Sequence, residues 1–345
     1  MRDDVNTKRR AQLRLAVMAV LVPVYVSLAI AVNYFGAVHE PTPHHVKIAI
    51  VGVPSATAGI AHELSAAPRG GFDVSQLTSV GAATRLLAER QLAGAYVPSP
   101  TRPRAIVVTA ASPSLAQFVE GVLRQAAARQ NRPLTVLDVR PMPSGDPTGT
   151  PNIFFLIICT LAGFLIVAVL GLAAPNLTEG QRVTLVAAAA VLAPTIAYLI
   201  GGPGYGAFSG DLGTILAMLG MGILYTVAVA GTARLMQLAF GLAAILPASL
   251  VLIFLNIPSS GGPLAPQLMP GFWRFLSHFW IGAIGLDANR SILYFGGAGV
   301  GNDVLKLLAW VAAWGAILAV PIYRRSTGRR RRAAAAAPAR VPQAA

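Results

Sequence analysis

Six apolar runs, each of about 20 residues, set the terms for this chain, because that is the length of helix that crosses a hydrocarbon core. They fall at residues 15–35, 153–174, 183–201, 212–231, 235–255 and 304–323. In lipid, every backbone N–H and C=O must find its partner within the segment, so such runs read as helices. Only 12% of the 345 residues are charged and the mean hydropathy is +0.63, whereas about a quarter of a soluble domain is charged. A soluble globular protein is excluded. The expected fold is an α-helical integral membrane bundle of six spans, with an extracytoplasmic α/β domain inserted between spans 1 and 2.

The first run follows Arg2, Lys8, Arg9, Arg10 and Arg14. A secretory signal would have a shorter apolar core of about 7–15 residues and a small-residue cleavage site. This run is longer and ends in Asn33, Tyr34 and Phe35, which form an interfacial anchor. It reads as an uncleaved span with residues 1–14 in the cytoplasm. The net charge of +14 would suggest nucleic acid in a soluble protein. Here the excess lies beside apolar runs, so it sets topology and attracts anionic lipid at the basic tail, and no nucleic-acid partner is expected. Arg182, Arg234, Arg324, Arg325 and Arg329 to Arg332 fall on the N-terminal side of the alternation; Asp211, Asp287 and Asp303 fall on the other. Both termini are therefore expected inside. Abundant Ala and Arg with few Lys suggests a high-GC bacterium, and the expected localisation is the bacterial plasma membrane. Cys159 stands alone and says nothing about redox compartment.

Residues 37–151 differ in character. Short apolar runs at 46–52, 72–78, 94–98, 104–109 and 134–139 read as strands, and 57–66, 80–91 and 112–129 as helices, with Ser112 as the last one's cap. Strands alternating with helices predict an α/β layer with a partly parallel sheet. A linker rich in Pro and Gly, PMPSGDPTGTP, leads into the five-span block at 153–323. Residues 324–345 are expected to be a basic, disordered tail.

Residues 256–300 fit neither class. They lie between apolar runs yet carry prolines, Arg274, Arg290, Asp287 and the aromatics Phe272, Trp273, Phe275, Phe279 and Trp280. A plain span would not tolerate this density of Gly, Pro and charge. Two readings remain: an interfacial aromatic belt, or a short helix or re-entrant hairpin, 257–300, shaping the outward mouth of a pathway. The candidate gate residues are Pro270, Phe272, Trp273, Trp280 and Arg290.

No catalytic constellation is present. The chain lacks G-x-x-x-x-G-K-[ST], G-x-S-x-G and H-E-x-x-H. His44 and His45 are adjacent in a linker without the fixed geometry a metal needs. No Asp, Glu, Lys, Arg or His lies in the middle of a span, which argues against an ion-coupled pump. Gly213, Gly220, Gly222 and Ala187 to Ala190 would allow close helix approach, and Pro194 and Pro247 would kink their spans. No enzyme activity, cofactor or metal is expected.

The order of parts resembles the type-2 ABC exporter permeases, in particular the branch that includes the phage infection protein family. The unit LLAERQLAGAYVP at 86–98 resembles that family's helix, Gly, apolar strand and Pro. Pro266, Pro270, Phe272, Arg290, Tyr294 and Phe295 resemble its segment between the last two spans, although Trp280 and Ile281 stand where many members carry a Pro. The resemblance implies a homodimer or heterodimer that exports a lipophilic or peptide-like substrate using ATP hydrolysed by a separate cytoplasmic ATPase subunit. It implies coupling through the inside loops at 175–182 and 232–237, with Glu179, Arg182 and Arg234 as contacts. The alternative is a non-transporting membrane scaffold whose ectodomain binds an envelope or secreted protein.

Overall fold

The computed structural model describes residues 2–66 and 70–335. The chain enters through helix α1, Arg2–Ile30, which continues through a π-helical turn, Ala31–Phe35, into α2, Gly36–Val38. The α/β domain then runs β1 (Val46–Val51), α3 (Pro54–Ala66), β2 (Phe72–Leu77), α4 (Val80–Ala88), β3 (Gly94–Val97), β4 (Arg104–Val107), α5 (Pro113–Arg129) and β5 (Thr135–Asp138). Its sheet has the order β2-β1-β3-β4-β5. β1 is parallel to β2 and β3, β4 is antiparallel to β3, and β5 is parallel to β4.

Strand β1 is apolar almost throughout because both of its faces are covered. Val46, Ile48 and Ile50 face a core with Leu64 of α3 and Leu115, Val119 and Leu123 of α5. Ala49 and Val51 face the opposite core with Ala83 and Leu87 of α4. Ser112 caps α5 by accepting a hydrogen bond from the Leu115 amide.

Among the described residues, five helical stretches are long and apolar enough to cross a membrane: Ala16–Val38, Thr150–Ala173, Glu179–Gly204, Leu212–Ser260 and Val300–Ile317. The fourth, at 49 residues, contains both runs expected at 212–231 and 235–255. The expected loop at 232–237 is absent. Helix α8, Leu212–Phe240, continues through it, and the chain turns at Gly241, whose φ of 61° and ψ of −140° suit glycine alone. Beyond Gly241, a 3-10 turn, α9 (Ile245–Ser249) and a π-helical run, Leu250–Leu255, return alongside α8 until Asn256 donates a hydrogen bond to Tyr225 Oη. Helices α6 (Thr150–Ala173) and α7 (Glu179–Leu199) precede this hairpin.

Residues 256–300 fold as 3-10 turns at Pro258–Ser260 and Pro266–Leu268, then α10 (Gly271–Ser277) and α11 (Ile281–Phe295). Twelve of the 15 residues of α11 are buried, and it packs against α6, α8 and α12 (Val300–Ala335). At a 1.5 Å rise it spans about 22 Å, less than a bilayer core. Helix α12 runs past residue 323, so the expected disordered tail does not begin there; its last ten residues lie outside the described ones.

Close packing in the bundle rests on particular glycines. A Cβ at Gly222 would meet Pro194 and Phe155, one at Gly163 the Thr226 carbonyl, and one at Gly285 the Tyr225 ring. Of the glycines the sequence singles out, Gly220 meets nothing within 4 Å and Gly213 only its neighbour Asp211. Two of the buried polar contacts between helices are uncharged: Tyr225 Oη bonds Thr160 Oγ1 at 2.7 Å, and Asn289 donates to Asn152 at 2.6 Å.

The α/β domain sits on one end of the bundle. There a Cβ on the linker glycine Gly145 would collide with the Gly206 carbonyl of the turn between α7 and α8. At the other end, Glu179 of α7 pairs with Arg234 of α8.

Candidate functional site

The domain is held by two apolar patches and a charged seam between them. Leu264, Leu268, Met269, Trp273 and Leu276 join the sheet core on the α3 and α5 face. Phe295, at the end of α11, joins the α4 face. The segment 256–300 thus grips the membrane-proximal end of the sheet from both sides. Full burial of such side chains is worth about 1.5–3 kcal/mol each. Hydrogen bonds add register: Thr42 N–H donates to Leu268 O, His44 N–H to Gln267 O, and Ala265 N–H to the side-chain Oγ of Ser114.

The seam centres on α11. Arg90, in a left-handed conformation (φ 62°) just after α4, ion-pairs with Asp287 and donates to Ser291 Oγ at 2.7 Å. The guanidinium groups of Arg90 and Arg140 lie over the Phe295 ring, 5.3 and 5.1 Å from its centroid, a cation–π geometry. Arg140 also donates to Tyr294 O, and Tyr294 Oη donates to Asp146 Oδ2 at 2.5 Å.

Asp146 is fully buried and its Oδ1 makes no hydrogen bond. Burial pushes its carboxyl above the usual carboxylate range. The Tyr294 hydroxyl and the amides of Gly149, Thr150 and Asn152 at the start of α6 favour the anion and offset burial only in part. Burial also raises the Tyr294 phenol, and the Asp146 carboxylate beside it adds to the rise.

Beneath the domain this seam opens into a cavity of about 730 Å³. Its charged lining comprises Lys47 of β1, Arg90, Asp287 and Arg290 of α11, and Asp303 and Lys306 in the first turns of α12, with His45 and His278. His45 pairs with Asp73 at 3.1 Å, while His44 bonds Thr42 Oγ1, so the two adjacent imidazoles have separate partners. Lys306 approaches Asp303 at 3.5 Å. Arg290 is only 9% exposed, and burial depresses its guanidinium while Asp287 opposes that shift. The cavity hydroxyls of Ser260 and Ser277 donate to the carbonyls of Ile257 and Arg274. This lining suits binding of a charged group.

The five gate candidates do not form one cluster. Pro270 precedes α10. Phe272 points outward at 59% exposure, while Trp273 is buried against Gly36 at the exit of the first helix. Trp280 stacks edgewise on Trp310, 6.0 Å away. Only Arg290 lines the cavity. Arg90 and Lys306 escaped the sequence reading, and Asp287 and Asp303 entered it only as charges on the outward side, not as site residues. The i, i+3, i+4 spacing of Asp287, Arg290 and Ser291 on one helical face was the available signal.

At the opposite end, Arg234 Nη2 donates to Glu179 Oε1 at 2.5 Å and Arg234 Nη1 to Gln237 at 2.7 Å. Arg182 behaves differently. It is 9% exposed and donates to the carbonyls of Ala174, Pro175 and Leu177, closing the turn after α6. Thr178 and Gln181 form a capping box beside it. Of the three expected coupling contacts, Arg182 is thus committed to the chain's own turn, where the carbonyls that follow α6 need donors.

Comparison of the chain with protein-family models, with curated proteins and with solved structures finds no match in any of the three.

Proposed function

We propose that this chain is the membrane permease subunit of an ABC-type exporter. In this reading it moves a lipophilic or peptide-like substrate across a bacterial plasma membrane with ATP hydrolysed by a separate subunit. The observation that supports it best is α11, a helix too short to cross a bilayer, buried among α6, α8 and α12 and lining a charged cavity along one face. Interrupted helices buried within a bundle are the form that translocation sites take, since irregular backbone at membrane depth must line protein or water. The turn closed by Arg182 and the Glu179–Arg234 pair supply a stiff projection at the end away from the domain. A partner ATPase could push there. Sidedness follows the basic residues at that end, which favour the cytoplasm.

The test is co-purification with a candidate ATPase, reconstitution in liposomes and measurement of stimulated hydrolysis and export. Stimulation is expected, and a periplasm-dependent reporter fused after Pro141 is expected to be active. Export without any ATPase would overturn the reading. A chain that neither stimulates an ATPase nor exports, but retains a secreted protein on its domain, would favour the scaffold alternative.

A further inference from the structure

We infer that the cavity between the α/β domain and α11 is a binding site for a phosphate oxyanion, presented as the headgroup of an amphiphile. Four cationic side chains, Lys47, Arg90, Arg290 and Lys306, line it against the carboxylates of Asp287 and Asp303. Asp287 is committed to Arg90 by a close ion pair, and Asp303 to Lys306 at 3.5 Å. That leaves Arg290 under-compensated. Its side chain is 11% exposed, its nearest carboxylate oxygen is 3.9 Å away, and among the described residues its guanidinium donates no hydrogen bond. A buried cation without hydrogen bonds is costly unless something fills the gap. A guanidinium fork facing an open cavity matches two oxygens of a phosphate.

Depth and size favour an amphiphile over a free anion. Asp303 and Lys306 lie in the first turns of the last candidate span, Val300–Ile317, the level at which a lipid headgroup meets a helix. The cavity volume, about 730 Å³, falls within the roughly 300–1,000 Å³ of small-molecule sites. The inference deepens the exporter reading by naming a substrate class and rests on it for the role of the site; the binding itself does not need an ATPase.

The experiment uses the full chain in a neutral detergent, with binding followed by calorimetry. The probes are dioctanoyl phosphatidate, neutral dioctanoylglycerol and inorganic phosphate. Phosphatidate is expected to bind saturably and dioctanoylglycerol not to bind. Arg290→Met, which keeps length and packing, is expected to weaken phosphatidate about tenfold to a hundredfold, the worth of a charge-assisted pair. Lys306→Gln is expected to weaken it less, and added salt to weaken both. Should Arg290→Met fail to fold by size-exclusion chromatography, the double variant Lys47→Gln, Lys306→Gln decides, with at least a severalfold loss expected. Equal binding of inorganic phosphate would uphold the oxyanion site and overturn its lipid source. No binding of either phosphate probe, equal binding of dioctanoylglycerol, or phosphatidate binding indifferent to the folded variants would overturn the proposal. Intact binding without ATPase stimulation would count against the exporter reading alone.

Discussion

Arg90 of the α/β domain and Asp287 of helix α11 are 197 residues apart in sequence and form the ion pair that fixes the domain on the bundle. Their side chains are 23% and 41% exposed, so solvent screens the pair and its own coupling is expected to be about 1 kcal/mol. Its effect on docking is larger, because Arg90 also holds Ser291 and covers Phe295. Arg90→Ala is expected to expose the linkers at 39–45 and 140–149 to protease in micelles while the domain keeps its circular dichroism. The reversal Arg90→Asp with Asp287→Arg should restore part of the protection. Unchanged cleavage in the single variant would remove this pair from the docking account.

Asp146 gives a pH dependence with a definite sign. Its folded carboxyl lies above the ordinary value, so the folded state prefers the protonated form. Its contribution to stability is full below the unfolded pKa of about 3.9 and is lost as pH rises through the folded value. Asp146→Asn is permanently neutral and still offers an oxygen to the Tyr294 hydroxyl. It is expected to melt higher than the parent at neutral pH, with the difference shrinking in acid. Thermal unfolding in micelles across that range is the measurement; a variant less stable at neutral pH would show that the charged form is the one the fold uses.

What the sequence made legible were the features that depend on local pattern. All five strands lie where their apolar runs predict, within a residue or two at each end, because β1 and its neighbours are covered on both faces. Local pattern misled at Arg234. A cation flanked by Thr and Gln resembled a loop, but Glu179 and Gln237 neutralise and bond it, so α8 continues to the glycine that can turn. Helix α11 was hidden by Asp287, Asn289, Arg290 and Ser291, which look wrong for a buried helix. Asp287 and Ser291 pair with Arg90, over the domain seam, and Asn289 with Asn152, at the start of α6. Pairings across such separations leave no trace in a single sequence. The candidate site is built almost wholly from them.

The bundle predicts a contrast between glycines. A Cβ at Gly282 would lie 2.4 Å from Asn256 Oδ1 and 2.6 Å from its carbonyl oxygen, with backbone unable to yield. Gly282→Ala is expected to cost about 1–3 kcal/mol or more through overpacking. Gly220→Ala meets nothing within 4 Å and should be neutral or stabilise by up to about 1 kcal/mol through helix propensity. Unfolding titrations in mixed micelles compare the two; equal effects would mean that α11 does not press on Asn256 as described.

The three residues at the far end separate stability from coupling. Arg182 supplies the donors for the carbonyls of Ala174, Pro175 and Leu177 and is nearly buried, so Arg182→Ala leaves those groups without their partner. The expected loss is about 1–3 kcal/mol, the cost of orphaned polar groups. Arg182→Lys should recover only part, since an ammonium cannot reach in two directions as a guanidinium fork does. Glu179 is different: its side chain is 53% exposed against 20% for Arg234. Breaking that pair is worth at most about 1 kcal/mol, and Arg234 keeps its bond to Gln237. Glu179→Ala is therefore expected to leave the melting temperature nearly unchanged. If a partner ATPase bears on this end, Glu179→Ala and Arg234→Gln should lower stimulated hydrolysis at unchanged stability, whereas Arg182→Ala lowers both together. Melting temperature and stimulated hydrolysis, measured on the same preparations, distinguish the cases. A Glu179→Ala chain that stimulates the ATPase like the parent, beside an Arg182→Ala chain that loses stimulation only in proportion to its folded fraction, would move the coupling surface away from this end.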